Sequence, residues 1–437
     1  MKRSVRAAVL QLRAHDRADF PRVNDSIVAA VEEASAGAEI VVLPEGTFPS
    51  YVLGDARAND DEAHVAAAVE RLSNLARETS TVIVAGAAMR HAGTLHNAAL
   101  VVDRDGSLAG RADKLFLWHF DRRWFEAGER LQPIATAAGK LGVLVCADGR
   151  LPTISRALVD RGAEMLVMPT AWVTTGRNPF ALENVQADLL GRVRAYENGV
   201  PFLAANKCGA ELGMVAYCGK SQIVDARGEL VALAPELAPA TLKAVVALGE
   251  ERPHRTTIAD VAPRGTALER PVRVGFSPDA YPNDLDRRME TLDDAFFLSP
   301  HHGERFAALD HALPSVNVGD ATIADPGGIV AYRRAGYRLA VWTTSTASEW
   351  TERIARARAL ELRIYVVVFD RSQDRAYAVD PDGAIVAGTF EGFRLASFVL
   401  DPRKTVETTV APGTDIFEGL ERVAAIVHRE SVAAADV

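Results

Sequence analysis

Blocks of apolar residues alternate with blocks of amphipathic spacing over the first 90 positions. Val5 to Gln11 and Ile40 to Leu43 are short apolar runs that predict buried strands, and Thr81 to Gly86 is a third. Between them, Arg22 to Ser35 places Val23, Ile27, Val31 and Ala34 at helical spacing. Glu62 to Glu78 does the same with Val65, Val69, Leu72 and Leu75. Strand, helix, strand, helix, strand is the order of an α/β layered domain. The pattern then changes. Asn97 to Asp103 and Leu108 to Leu117 flank Asp105-Gly106, a hairpin signal, so the expected sheet is mixed rather than of the plain Rossmann kind.

Leu141 to Val145 is another buried run, ended by Cys146 and the turn Ala147-Asp148-Gly149-Arg150. Pro152 opens a helix that Gly162 closes. A thiol at such a corner is expected to be exposed and to lie near a helix N-terminus, which favours the thiolate. Further on come a strand at Met165 to Pro169, a helix ending near Asn198-Gly199, a strand at Val200 to Ala205, and a hairpin around Ala226-Arg227-Gly228.

From Gly249 to Pro271 the periodicity fades into Arg, Pro, Thr and Glu, which marks a domain boundary. The domains are expected at 1–268 and 269–437. The second reads as a shortened copy of the first. Val272 to Phe276 parallels Val5 to Val9, and Phe297 to Pro300 parallels Val42 to Glu45. Arg356 to Glu361 parallels Arg192 to Glu197, and Val379 to Ala387 parallels Val224 to Ala232. Matches in a common order indicate a degenerate repeat. In it Pro300 replaces Glu45, and Ile323-Ala324-Asp325 is aligned with Cys146-Ala147-Asp148, so the copy is expected to be catalytically dead. Residues 429–437 are expected to be a frayed tail.

Composition narrows the field. The chain of 437 residues has 48% hydrophobic residues and a net charge of −9, with no basic cluster, which argues against a nucleic-acid partner. No apolar run is long enough to span a membrane, and Met1 to Leu10 is too short in its apolar part for a signal peptide. Three cysteines (Cys146, Cys208 and Cys218) fit a reducing cytoplasm better than a disulfide framework.

A cysteine nucleophile needs a base and oxyanion donors. No histidine stands in a local motif with Cys146, and neither HExxH nor a paired CxxC points to a metal. Polar residues at strand ends remain, among them Glu45 and Lys114. Leu43-Pro44-Glu45, Arg111 to Lys114 and Val143 to Arg150 together resemble the three motif blocks of the nitrilase (carbon–nitrogen hydrolase) superfamily. Arg161 to Glu164 running into Pro169 to Trp172, Arg194 to Gly199, and Asn206 resemble its later blocks.

The resemblance, over about residues 4–248, implies a four-layer α-β-β-α sandwich. It implies Glu45 as general base, Cys146 as nucleophile, and Lys114 with the Ala147 N–H as oxyanion donors, with no metal or organic cofactor. The implied substrate is a small amide or N-carbamoyl compound, since the Trp-Glu that tends to follow the cysteine in true nitrilases is absent. Action on a nitrile, or a non-catalytic binding or assembly role, are the alternatives. Where the family usually has a second glutamate, this chain offers Asp121. Arg150 has two readings, a grip on a substrate carboxylate or a pairing with Asp148 or a helix carboxylate. Trp172, Trp118 and Trp124 are candidates for the pocket wall. Members of the family commonly pair as dimers. The degenerate copy is expected to cover the pairing surface, giving a monomer with an internal pseudo-dimer, the alternative being a homo-oligomer.

Overall fold

The computed structural model describes residues 3–435 except 55–60, 177, 179, 250–254, 257–260, 264–269, 280–294, 301–314 and 347. The chain divides into two compact units. One comprises Met1–Pro253 together with Ala411–Val437, and the other His254–Val410. This division bears on two expectations. The break lies near residue 253, whereas the expected boundary at 268/269 lies outside the described residues. The C-terminal stretch is no frayed tail, because Ile416–Ala435 is a helix of the first unit. Ile416, Leu420, Val423 and Ile426 recur at helical spacing and are all buried, which gives the segment an apolar stripe to dock with.

The first unit is a sandwich of two sheets. In one, Ser4–Arg13 is central, pairing in parallel with Ile40–Val42 and antiparallel with Ala240–Ala247. Val82–His91, Thr94–Val102 and Leu108–Asp113 extend that sheet, the last two as the hairpin foreseen at Asp105-Gly106. In the other, Gly139–Val143, Met165–Pro169 and Phe202–Ala205 run parallel, and the hairpin of Gln222–Val224 and Leu230–Leu233 adds to them antiparallel. Strands such as Ile40–Val42 and Met165–Pro169 are buried along their whole length, as sheets covered on both faces require. Helices Phe20–Ser35 and Glu62–Thr79 cover the first sheet, with Ile27, Val31, Val65, Leu72 and Leu75 inward. Helices Pro152–Asp160 and Gly191–Asn198 pack against strands of the second. The four-layer α-β-β-α arrangement is the one the family resemblance implies.

The second unit repeats much of this plan on its own. Val272–Phe276 pairs in parallel with Ala295–Leu298 and antiparallel with Ala396–Leu400, as Ser4–Arg13 does with its neighbours. Ser315–Val318, Leu339–Thr344, Tyr365–Asp370, Arg375–Val379 and Ile385–Gly388 follow the order and senses of the first unit's second sheet. Even the irregularity recurs, between Ile223 and Val224 in one hairpin and between Ala378 and Val379 in the other. Among the described residues there is no counterpart of Val82–Asp113, the strands that lead to Lys114. No helix among them is long and apolar enough to cross a membrane.

The alignment of the two units needs correction by three residues. Pro152 and Pro326 each open a helix. Arg194 donates to the carbonyls of Gly149 and Arg150, and Arg358 to those of Ile323 and Ala324. Ile323 therefore corresponds to Gly149, and Asp320 stands where Cys146 stands. Its carboxylate accepts from Trp342 Nε1 at 2.7 Å and from the Thr346 hydroxyl at 2.9 Å.

Candidate functional site

Three chain corners at the ends of the two sheets build the site. At the first, Glu45 follows the strand Ile40–Val42 after Leu43-Pro44. A Cβ on Gly86 would lie 2.4 Å from the Pro44 carbonyl oxygen and 2.5 Å from the Glu45 Cα, so glycine is what lets this corner cross the neighbouring strand. The Glu45 N–H donates across the sandwich to the Thr170 carbonyl at 3.2 Å, tying the two sheets together at the site.

At the second corner, Lys114 directly follows Leu108–Asp113. Its N–H donates to the Asn97 carbonyl (2.8 Å), and its carbonyl accepts from the Gly128 N–H (2.9 Å). The fully buried ammonium donates to Glu45 Oε1 at 2.8 Å and contacts Asp121 Oδ2 at 2.6 Å, with the Tyr51 ring 5.5 Å away. Burial alone would depress the lysine, but Asp121 and Glu45 outweigh it and hold its pKa well above the usual value. Asp121 in turn accepts from the Tyr51 hydroxyl at 3.0 Å and the Trp118 N–H at 2.8 Å. The shorter acid thus reaches Lys114.

Cys146 forms the third corner, with φ +46°, a strained backbone for a residue with a side chain. Asp148 braces it. One carboxylate oxygen accepts from the Leu115 and Phe116 N–H groups (3.0 and 2.7 Å), and the other from Val145 (3.0 Å), so the Lys114 and Cys146 corners are stitched together. The thiol is buried, not exposed as its place in the sequence suggested. Burial and then Glu45 push its pKa far above the ordinary thiol value, while Lys114, the Thr170 hydroxyl and the Ala171 N–H pull the other way. Burial here thus favours the neutral thiol over the thiolate.

Glu45 lies within electrostatic reach of the thiol. Its Oε1 is committed to Lys114 and to Asn97 Nδ2 (2.7 Å), whereas Oε2 is buried without a partner. A lone acceptor in so dry a place is costly unless chemistry uses it.

The same contacts bear on Arg150. Asp148 is occupied by backbone N–H groups, and among the described residues no carboxylate pairs with Arg150. Its guanidinium instead stacks 4.4 Å from the Trp118 ring centroid, close enough to Cys146 that a thiolate there would favour its charge. Burial lowers its pKa to about 10. Trp172 is buried, its N–H held by Asn206 Oδ1 at 2.7 Å and its indole Nε1 without a partner. Trp124 donates to the Gly54 carbonyl and packs on Phe120 and Phe125. Ala147 lies in the single turn Cys146–Arg150, where early N–H groups lack intrahelical acceptors. Two cavities of about 250 and 280 Å³ flank the site without containing Glu45, Lys114 or Cys146. The first is lined by Leu53 and Trp124, the second by Leu115 and Asp148.

Sequence reasoning missed Asn97, Tyr51 and Thr170. Asn97 carried a usable signal, a polar residue at the head of the apolar run Ala98 to Val102. Thr170 lay within the Pro169 to Trp172 block without being singled out, and Tyr51 carried no signal.

Comparison with known proteins shows what the chain is similar to. A family model described as carbon-nitrogen hydrolase matches residues 6–256. An omega-amidase of Xenopus tropicalis is 31% identical over 46% of this chain and 75% of its own length. Among solved structures, a carbon-nitrogen hydrolase from Helicobacter pylori G27 is 27% identical, covering 56% of this chain and 89% of that one with a TM-score of 0.50. A mutant amidase from Nesterenkonia sp. AN1 in complex with butyramide is 28% identical, covering 56% and 91% with a TM-score of 0.50.

Proposed function

Because the chain belongs to the carbon–nitrogen hydrolase family, we propose that it hydrolyses the C–N bond of small amides that carry a carboxylate, N-carbamoyl compounds among them. The observation that carries the reading is the divided Glu45 carboxylate, one oxygen gripped by Lys114 and Asn97 and the other unpaired in the site that holds the Cys146 thiol. Glu45 Oε2 takes the thiol proton as Sγ bonds to the carbonyl carbon, and the C=O pair moves to oxygen. Lys114 and the Ala147 N–H hold that oxyanion. Collapse breaks the C–N bond, and the leaving nitrogen departs as ammonia or an amine with the proton from Glu45. Water then attacks the thioester, Glu45 again accepts and returns the proton, and the acid leaves. Asp121 keeps Lys114 charged and in place.

Arg150 supports the choice of an anionic substrate, since an unpaired guanidinium near the nucleophile suits a carboxylate. The second unit is read as a degenerate, catalytically inactive copy. It has Asp320 at the nucleophile position. The strand registers set Pro300 opposite Pro44 and put the Glu45 position at residue 301, outside the described residues, and the described residues include no equivalent of Lys114.

Ammonia release across a panel of amides, N-carbamoyl amino acids and nitriles tests the reading. Turnover of anionic amides that vanishes in Cys146→Ala supports it. Turnover confined to nitriles would replace it with a nitrilase, and no turnover of any member would favour a binding protein.

A further inference from the structure

Residues 411–435 reach the site's second corner from the far end of the chain. Thr414 is fully buried, and its hydroxyl accepts from the His119 N–H at 2.7 Å. His119 has φ +48° and begins the turn His119–Arg123, which carries Asp121. Arg122 donates to the Gly413 carbonyl at 3.1 Å and pairs with Glu418 at 3.4 Å. Further along the helix, Arg422 donates to the carbonyls of Ala127 and Gly128 (3.3 and 2.9 Å), and Gly128 itself holds the Lys114 carbonyl. Glu430 accepts from the Leu131 N–H at 3.0 Å. Gly419 is the point of closest approach. A Cβ there would fall 2.7 Å from the Phe116 ring and 2.9 Å from Leu151.

These bonds run along one stretch, 116–131, which holds the Asp121 carboxylate against Lys114. A strained left-handed residue persists only where its surroundings over-determine it, and the Thr414 hydroxyl is the partner that satisfies its N–H. We propose that the segment 411–435 is an intramolecular positioning element for the hydrolytic site: Thr414 and Arg422 fix the 118–128 turn, and through it Asp121, in the geometry that keeps the Lys114 ammonium on the oxyanion. This rests on the reading of the site as a carbon–nitrogen hydrolase centre. Thr414 and Arg422 touch no reacting atom and act through Asp121.

The test uses the full chain. Thr414→Val keeps the shape but leaves the His119 N–H unpaired, and Thr414→Ser restores the acceptor. Arg422→Met, at an exposed position, loosens the same turn without threatening the fold. With an amide that the parent enzyme hydrolyses, Thr414→Val and Arg422→Met lower kcat, the former about tenfold, with KM within about twofold, and Thr414→Ser recovers most of the loss. In an Asp121→Asn background, Thr414→Val changes kcat less than about twofold further, because its route is already cut. Unchanged kcat in both variants, or an equal drop in the Asp121→Asn background, overturns the proposal. Alkylation of Cys146 by iodoacetamide, followed by mass spectrometry, needs no substrate and separates the two ideas. If no amide is turned over, the functional reading fails, yet slower alkylation in Thr414→Val still supports the positioning role, and equal rates refute it.

Discussion

Replacing Arg150 with methionine should make the protein more stable and, for one class of substrate only, a worse enzyme. A guanidinium whose pKa is lowered from 12.5 to about 10 by burial carries a desolvation cost of about 3 kcal/mol while charged. Stacking on Trp118 returns about 1–2 kcal/mol of it, and the side chain keeps partial contact with solvent, which trims the cost further. Methionine fills the same space over the indole without the charge, so Arg150→Met is expected to gain about 1 kcal/mol. The sign with pH follows from the lowered value. The penalty on the parent protein is full at neutrality and is relieved only as pH rises through about 10, so the gain is flat from pH 6 to 9. On the substrate side, losing a half-buried guanidinium opposite a carboxylate costs about 2–3 kcal/mol, or roughly 30- to 150-fold in kcat/KM. The assay pairs each anionic amide with its neutral isostere and adds a denaturant melt. Equal losses on both substrates, or a destabilised variant, would refute the carboxylate role.

Glu45→Gln keeps an oxygen for Lys114 and Asn97 but no base, and ammonia release should fall by about 10²–10⁴ with the melt nearly unchanged. Lys114→Met strands two buried carboxylates and should destabilise by about 3–5 kcal/mol in urea unfolding. Because the lysine's folded pKa is raised, its contribution is fully present below pH 10.5 and is lost only above, so that deficit stays level from pH 6 to 9. With its thiol pKa pushed far up, Cys146 should show no step in alkylation rate near pH 8.5, where an ordinary thiol titrates; a sigmoid centred there would contradict the buried-thiol account. In the second unit, Arg358→Met breaks the buried pair with Glu361 and should cost about 3–5 kcal/mol of its stability. Asp320→Cys should confer no amide turnover on a Cys146→Ala protein.

Much of the fold was legible because central strands buried on both faces have to be apolar throughout, and the helices covering them carry an inward stripe. The Glu45, Lys114 and Cys146 corners were legible as motifs. Their electrostatics were not, since burial is a property of the packed sandwich: Cys146 reads as an exposed corner in the chain and is enclosed in the fold. Asp121 could be located through the family resemblance, but its contact with Lys114 is set by a fold that also brings Tyr51 and Trp118 to its carboxylate. Arg150 could be read as pairing with a carboxylate such as Asp148 or as gripping a substrate, and the bonds from Leu115, Phe116 and Val145 that occupy Asp148 are set by the fold and not by the local sequence. The repeat alignment slipped by three residues because Ala-Asp occurs at both Ala147-Asp148 and Ala324-Asp325, whereas the carbonyls held by Arg194 and Arg358 fix the true register. The role of residues 411–435 was invisible, since the sequence shows an amphipathic stripe and not what it docks on.

The His119–Thr414 bond joins residues 295 apart in sequence, and this has a consequence for how the protein is made. Closing so long a loop costs little more in equilibrium entropy than closing one half its length, but contacts of such separation form late. During synthesis the two sheets of the first unit are complete once Ala247 has emerged. The turn bearing Asp121 still lacks its partners then, and the whole second unit must be translated before Gly413, Thr414 and Arg422 arrive. The turn that carries Asp121 therefore gains its last contacts only after the second unit has been translated, and a nascent chain stalled within that unit would carry this turn without the Thr414 and Arg422 bonds.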